Sequence, residues 1–222
     1  VERRTFSFMF EHQVEGIIYS KWVHGSITPP DELGRMPSVL VNCYDECGRF
    51  PAVVPDEVQG GATATRLLLE AGHRRIAFVN DAAPSPASVG RLAGYKAALA
   101  RFDVDFDPSL VLSVTADQEG GYGAAAQVLA TGATGVFCHN DRTALGLYDA
   151  LRESGKRVPD DISVVGFDNQ EVISAHMHPA LTTVGLPQYD LGVMGVRTLL
   201  RRCGADNDES EIVSERFKPV RV

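Results

Sequence analysis

The chain has 222 residues, of which 44% are hydrophobic and 23% are charged. That length can bury one large hydrophobic core or two smaller ones. The formal net charge of -8 argues against a chain that grips nucleic acid by itself, because duplex binding needs a basic patch for the phosphates.

Apolar runs alternate with amphipathic segments along the chain. The predicted helices cover residues 2–12, 61–71, 88–100, 120–130, 142–154 and 191–202. The predicted strands cover 14–20, 38–42, 52–54, 76–80, 111–114, 135–139, 162–166 and 181–184, with a last one at 217–222. An acidic run at 206–211 is predicted to be a solvated loop. Continuous apolar strands between helices predict an α/β fold with parallel sheets covered on both faces, and the number of strands favours two lobes.

Polar side chains follow three of these strands. Asn42 ends the second strand, Asn140 and Asp141 follow the strand at 135–139, and Asp168 and Asn169 follow the strand at 162–166. Ligands of parallel α/β sheets bind outside the carboxyl ends of the strands. These strand ends therefore predict a binding site rich in hydrogen-bonding groups.

The usual signatures of catalysis do not occur in the sequence. There is no G-x-S-x-G elbow, no phosphate-binding P-loop and no H-E-x-x-H zinc motif. The glycines of 120–123 lack dinucleotide-binding spacing and are better explained as a helix start. We therefore predict no enzymatic activity, no catalytic residue and no cofactor.

Two small clusters leave a metal site open as an alternative. Cys43 and Cys47 could bind a metal, but free structural thiols are the better interpretation because no second pair completes a zinc spacing. His176 and His178 flank Met177, and an irregular segment ahead of a proline explains them as well as ligation does. No metal is predicted.

Several stretches resemble one family when they are taken together. They are "VEGIIYS", "PSVLVN", "LLLEAGHRRIAFV", "GRLAGYKAAL", "VFCHNDRTALGLYDALRESGKRVPDDISVVGFDN" and "HPALTTVGLPQYDLGVMGVRTLL". In this order they resemble the effector-binding core of the LacI/GalR (lactose/galactose repressor) family of bacterial transcription regulators. The resemblance covers essentially the whole chain.

The resemblance implies a two-lobe fold of the periplasmic-binding-protein type, with three interlobe crossings and a small effector in the interlobe cleft. The expected N-terminal lobe is 1–55 plus 188–215, and the expected C-terminal lobe is 56–187 plus 216–222. It also implies a homodimer and a helix-turn-helix headpiece that binds operator DNA. The headpiece and the first strand and helix of the first lobe have no counterpart in this chain.

The family's ligand contacts match Arg91, Asn140 and Asp168, and Asn42 stands where many members carry an aspartate. A guanidinium donates a planar set of hydrogen bonds, a carboxylate accepts and an amide does both, which suits a sugar or sugar derivative. The alternative is that these polar residues cap helices and turns. For the adjacent pair, we expect Asp141 to cap the following helix and Asn140 to face the effector.

One departure from the family concerns aromatic stacking on the ligand. Ala116 occupies a position where many members place an aromatic residue, and Trp22, predicted to lie in a loop, is either a substitute or a surface residue.

The predicted function is an allosteric, cytoplasmic sensor of a small carbohydrate that controls operator binding. The alternative is the solute-binding protein of a sugar transporter, which would need an export signal or lipid anchor, and the sequence shows neither.

Overall fold

The computed structural model describes the backbone of residues 2–204, 215–217 and 220–221 and the side chains of residues 4–204. The predicted loop at 206–211 lies outside the described residues. The chain forms two compact units. The first unit is Val1–Pro55 with Pro187–Phe217, and the second is Asp56–Leu186 with Lys218–Val222. The chain therefore passes from one unit to the other three times.

Helices and strands alternate as the apolar pattern predicts. The strands are β1 (Ile17–Ile27), β2 (Ser38–Asp45), β3 (Ala52–Pro55), β4 (Ile76–Asp81), β5 (Val111–Val114), β6 (Gly135–Cys138), β7 (Ser163–Asp168), β8 (Thr182–Gly185), β9 (Glu215–Phe217) and β10 (Val220–Arg221). The helices are α1 (Glu2–Glu11), α2 (Glu57–Glu70), α3 (Pro86–Arg101), α4 (Gln118–Ala130), α5 (Asp141–Glu153), α6 (Glu171–Ser174) and α7 (Gln188–Arg202). Among the described residues, no helix has the length and apolar character needed to cross a bilayer.

The first unit contains a four-stranded parallel sheet in the order β1-β2-β3-β9. Side chains alternate across it. Val39 and Val41 of β2 pack with Leu191 of α7 on one face, while Leu40 packs in a separate cluster on the other.

The second unit contains a six-stranded sheet in the order β10-β8-β7-β6-β4-β5, in which β10 alone is antiparallel to its neighbour among the described strands. Its central strands are buried on both faces. Val136 and Cys138 of β6 pack in one cluster with residues of α4 and α5. Phe78 and Phe137 pack in another with residues of α2 and α3, and their rings stack with centroids 4.4 Å apart. The predicted fold class is confirmed, and the uninterrupted apolar strands reflect burial on both faces.

The main differences from the prediction are at element boundaries. α2, α3 and α4 begin earlier than predicted, because Asp56, Ser85 and Asp117 each accept a backbone N–H in the first helical turn. The short helix α6 was not predicted. The expected final strand is instead two short strands in two different sheets, of which β10 lies within the predicted span.

Trp22 does not lie in a loop, because β1 extends past the predicted end of this strand. The strand instead bulges. Ser20 pairs with Val41 and Gly25 pairs with Cys43, so β1 advances five residues while β2 advances two. Trp22 lies within this bulge, and 94% of its surface is exposed.

Candidate functional site

The carboxyl ends of β4, β6 and β7 meet at one edge of the six-stranded sheet, because these strands are parallel neighbours. We call this the carboxyl edge of the second unit. Asp81 ends β4, Asn140 lies two residues beyond β6, and Asp168 ends β7. Two of the four predicted effector-binding residues therefore lie at this edge.

Arg91 reaches the same edge from α3. Its side chain is 5% exposed, and Nε donates to Glu57 Oε2 at 2.9 Å. Nη1 donates to the backbone carbonyl of His139, and Nη2 lies 3.6 Å from Asp168 Oδ1. The guanidinium carbon lies 3.7 Å from the centre of the Phe167 ring, in a cation–π contact. The structure thus brings together Arg91 and Asp168, which are far apart in sequence.

Glycines on α2 and α3 allow this arrangement by letting the two helices approach closely. A Cβ at Gly90 would lie 2.6 Å from Cβ of Glu57, and a Cβ at Gly94 would lie 2.5 Å from the backbone nitrogen of Ala62. Gly61 of α2 similarly faces the backbone of Arg91. This contact places Glu57, the first residue of α2, against the guanidinium.

His139 and Asn80 form a buried polar pair beside Arg91. Asn80 Nδ2 donates to the carbonyl of Ser88, so its Oδ1 faces the imidazole and accepts from Nδ1 of His139 at 3.0 Å. Burial and, secondarily, the nearby guanidinium lower the pKa of His139 to about 3. The imidazole is therefore neutral at physiological pH and supplies no positive charge to the site.

Asp168 lies in a strained turn after the body of β7. Its φ is 99° and that of Asn169 is 52°, both in the left-handed region that non-glycine residues rarely adopt. Asp168 Oδ2 accepts from Gln170 Nε2 at 3.2 Å, and the side chain is 19% exposed. Burial raises the pKa of Asp168, while Arg91 opposes that shift. The turn holds a partly exposed carboxylate next to a buried guanidinium.

Asp141 stabilises the turn that carries Asp168 by hydrogen bonds from the protein interior. It is fully buried, Oδ2 accepts from the backbone N–H of Gln170 at 2.7 Å, and Oδ1 accepts from the Thr183 hydroxyl at 2.6 Å. Burial raises its pKa to about 6, although both hydrogen bonds favour the charged form. Asp141 thus connects the start of α5 to the loop that carries Asp168.

The prediction that Asp141 caps α5 was wrong. Asn140 caps α5, because its Oδ1 accepts from the backbone N–H of Thr143 at 2.8 Å and from the Thr143 hydroxyl at 3.0 Å. Its Nδ2 donates to the carbonyl of Ala116 at 2.9 Å. An asparagine at the N-cap position satisfies an N–H that the first helical turn leaves unpaired. Asp141 instead points into the interior.

Asn42 belongs to the first unit and lies inside β2 rather than at its end. Its φ is 56°, and its Nδ2 donates to the carbonyls of Lys21 and Trp22 at 3.0 and 3.2 Å. The side chain therefore holds the bulge of β1.

Sequence reasoning missed Glu57, and it did not identify His139 as part of the site. The available signal for Glu57 was an acidic pair, Asp56 and Glu57, directly after an apolar strand, where the first residue serves as a helix cap. The contact between Glu57 and Arg91 joins residues 34 positions apart. No local pattern predicts such a pair.

The cysteine and histidine clusters have simpler explanations. All four cysteines are free thiols, and Cys43 and Cys138 are buried. Nδ1 of His176 and Nδ1 of His178 contact the backbone carbonyls of Glu171 and His176. No group of three or more metal-ligating side chains occurs in the described part of the chain.

A second surface feature of this unit is a groove of about 450 Å³ beside α5 and α6. Leu145, Tyr148 and Ile173 are among the residues that line it, and Val172 at its border is 82% exposed. Arg91, Glu57, His139 and Asp168 are not among the residues that line this groove.

Comparison with known proteins identifies the family. Residues 65–221 match the family model described as a periplasmic binding protein-like domain. Over 192 residues the chain is 34% identical to the HTH-type transcriptional repressor PurR of Vibrio atlanticus, an alignment that covers 86% of this chain and 57% of that protein. The chain thus spans little more than half the length of this relative.

Solved structures support the same family assignment. A LacI-family regulator of Rhizobium etli superposes with a TM-score of 0.86 at 27% identity, covering all of this chain and 82% of that one. A LacI-family regulator of Enterococcus faecium with bound ribose gives a TM-score of 0.77 at 29% identity, covering 99% of this chain and 81% of the other. The chain belongs to the periplasmic binding protein-like family and, within it, to the effector-binding domains of LacI/GalR-type transcriptional regulators.

Proposed function

We propose that this chain binds a small uncharged carbohydrate, a sugar or sugar derivative, at the carboxyl edge of the second unit and thereby controls operator binding by a helix-turn-helix domain of the full-length regulator. Binding would proceed without turnover. The observation that carries the proposal is the pairing of Arg91 with Asp168 over the ring of Phe167.

Asp168 is the central recognition group in this proposal. Its carboxylate is held in a strained turn and stays partly exposed, so it can accept hydrogen bonds from two hydroxyls of one ligand. A sugar loses the water around each hydroxyl when it binds, so each hydroxyl needs a partner in the site. A strained functional loop held by buried partners is typical of a preorganised binding site.

Arg91 and Asn140 complete the set of residues proposed for this edge. Two of the five guanidinium N–H groups of Arg91 donate to Glu57 and His139, and a third, on Nη2, points towards Asp168. We assign one of the others to the effector. One amide hydrogen of Asn140 is used by Ala116, and we assign its second to the effector as well. Asn42 lies in the first unit, where its amide nitrogen holds the bulge of β1, and its contact with the effector stays a prediction.

The relative with bound ribose supports the choice of carbohydrate. A thermal-shift panel of neutral sugars and nucleosides tests it on the wild type, on Asp168→Ala and on the control Asp161→Ala. Asp161 is a matched aspartate before β7 whose carboxylate pairs with Arg157. We expect one class of sugar to stabilise the wild type and the control but not Asp168→Ala. Equal stabilisation of all three proteins would refute the site.

Operator binding by a homodimer in the cytoplasm completes the proposal. The regulators that the chain resembles support DNA binding. The groove beside α5 and α6, with the exposed Val172 at its border, supports a dimer. Sedimentation of the full-length protein with and without operator DNA measures both. A monomer that does not bind DNA at any concentration would contradict this part.

A further inference from the structure

Arg91 is neutralised within its own unit. Nε contacts Glu57 at 2.9 Å and Nη2 lies 3.6 Å from Asp168, so two carboxylates oppose one guanidinium. The side chains of Arg91 and Glu57 are both 5% exposed. A buried ion pair is weakly screened, so its charges act strongly on anything that enters the site.

Glu57 is fixed in this position by its surroundings. It is the first residue of α2, where the helix dipole favours a carboxylate, and Asp56 caps the helix one residue before it. Gly90 of α3 lies directly against its Cβ. The carboxylate therefore has little room to move away when a ligand arrives.

The surrounding charges make the Arg91 site unfavourable for anions. A phosphate or carboxylate placed on Arg91 would meet the carboxylates of Glu57 and Asp168, and it would lose its own hydration. Arg142, a further cation that lowers the pKa of Asp168, is exposed. His139 is buried and uncharged at neutral pH. A neutral hydroxyl pays no comparable cost.

We infer that Glu57 is a specificity-determining residue, which neutralises Arg91 and so excludes effectors that carry a phosphate or carboxylate at this position. This inference rests on the proposed function, since it concerns the ligand class of the same site. It adds that sugar phosphates and sugar acids are rejected by a residue that need not touch the effector.

The test compares wild type with Glu57→Gln in the full-length protein. Melting temperature is measured with increasing inorganic phosphate against chloride at matched ionic strength, with circular dichroism as the check of folding. We expect the wild type to show no saturable response to phosphate. We expect Glu57→Gln to show a saturable response, at phosphate concentrations about tenfold or more below those at which the wild type shows none, because a like charge beside the anion is removed. In Glu57→Gln/Arg91→Met the response should disappear.

Glu119→Gln is the matched control. Glu119 is an exposed glutamate in the first turn of α4, and its substitution changes the net charge by the same amount as Glu57→Gln. It should respond to phosphate as the wild type does. If Glu57→Gln does not fold, Glu57→Asp retracts the carboxylate by one methylene and should show a smaller gain in phosphate affinity.

Two results would overturn the inference. One is a saturable phosphate response of the wild type that Arg91→Met removes, since Arg91 would then be available to anions. The other is a folded Glu57→Gln, or a folded Glu57→Asp in its place, that responds no more than Glu119→Gln. Neither outcome depends on finding the natural effector, so failure of the sugar panel and failure of this inference are separable.

Discussion

Asp141 and Asp168 are two carboxyls at one sheet edge, and burial raises the pKa of both. They differ in exposure. Asp141 is fully buried under the loop, whereas Asp168 is 19% exposed beside Arg91. The buried residue therefore positions the loop, and the exposed one is available to a ligand.

Replacing Asp141 by asparagine should change the pH dependence of stability. The pKa of Asp141 is about 6 in the folded chain and near 3.8 when unfolded, so between these values the folded state binds more protons. Its contribution to the unfolding free energy therefore falls as pH rises from 4 to 6. Relative to Asp141→Asn, wild-type stability should fall by about 2–3 kcal/mol between pH 4 and pH 7. Urea unfolding at a series of pH values measures this.

Asp117→Asn supplies a control of opposite sign. Hydrogen bonds from the Gly120 backbone N–H and the Thr115 hydroxyl lower the pKa of Asp117. Its contribution to stability is therefore present above the unfolded pKa and lost as pH falls. Wild-type stability relative to Asp117→Asn should rise with pH. A difference between wild type and Asp141→Asn that stays constant from pH 4 to 7 would show that Asp141 is not the group described above.

At the residue scale, the sequence predicted which residue types occupy the strand ends but not what each side chain contacts. Asn140 and Asp141 are adjacent oxygen acceptors, and the sequence does not show that Asn140 caps α5 while Asp141 accepts hydrogen bonds in the interior. Glu57 was missed because its partner is distant in sequence. Long-range ion pairs leave no periodic signal.

At the scale of elements, the contact between α2 and α3 positions the guanidinium. Gly94→Ala should destabilise the chain by about 1–3 kcal/mol, because its Cβ would press on backbone atoms of Val58 and Ala62 that cannot rotate away. This cost opposes the gain in helix propensity that alanine normally brings. Urea unfolding measures the change.

Gly123→Ala in α4 is the matched control. A Cβ at Gly123 meets nothing within 4 Å, so the substitution should be neutral or stabilising by up to about 1 kcal/mol. If both variants gain stability equally, the close approach of α2 and α3 does not constrain the site.

Most helices and strands could be predicted because each is long enough to show its period. The four-residue helix α6 and the bulge of β1 could not. Both depend on contacts across the fold, the bulge on hydrogen bonds from Asn42 to residues about 20 positions earlier. Apolar periodicity is insensitive to such contacts.

At the scale of the whole molecule, the α/β class follows from strands that are apolar throughout, and the family follows from motifs that match in order. The effector does not follow from either. Its class is set by the charge and hydrogen bonds around Arg91, which arise only when α2, α3, β6 and β7 pack together.

Recognition of a sugar by Asp168 is tested by calorimetric titration of the sugar that gives the largest thermal shift. We expect saturable, one-site binding to the wild type and the Asp161→Ala control, with no turnover of the sugar. Asp168→Ala should weaken binding about ten- to a hundredfold, the usual cost of losing hydrogen bonds to a charged group. Binding to Asp168→Ala with wild-type affinity would show that Asp168 does not recognise the sugar, and conversion of the sugar to product would show that the protein is an enzyme.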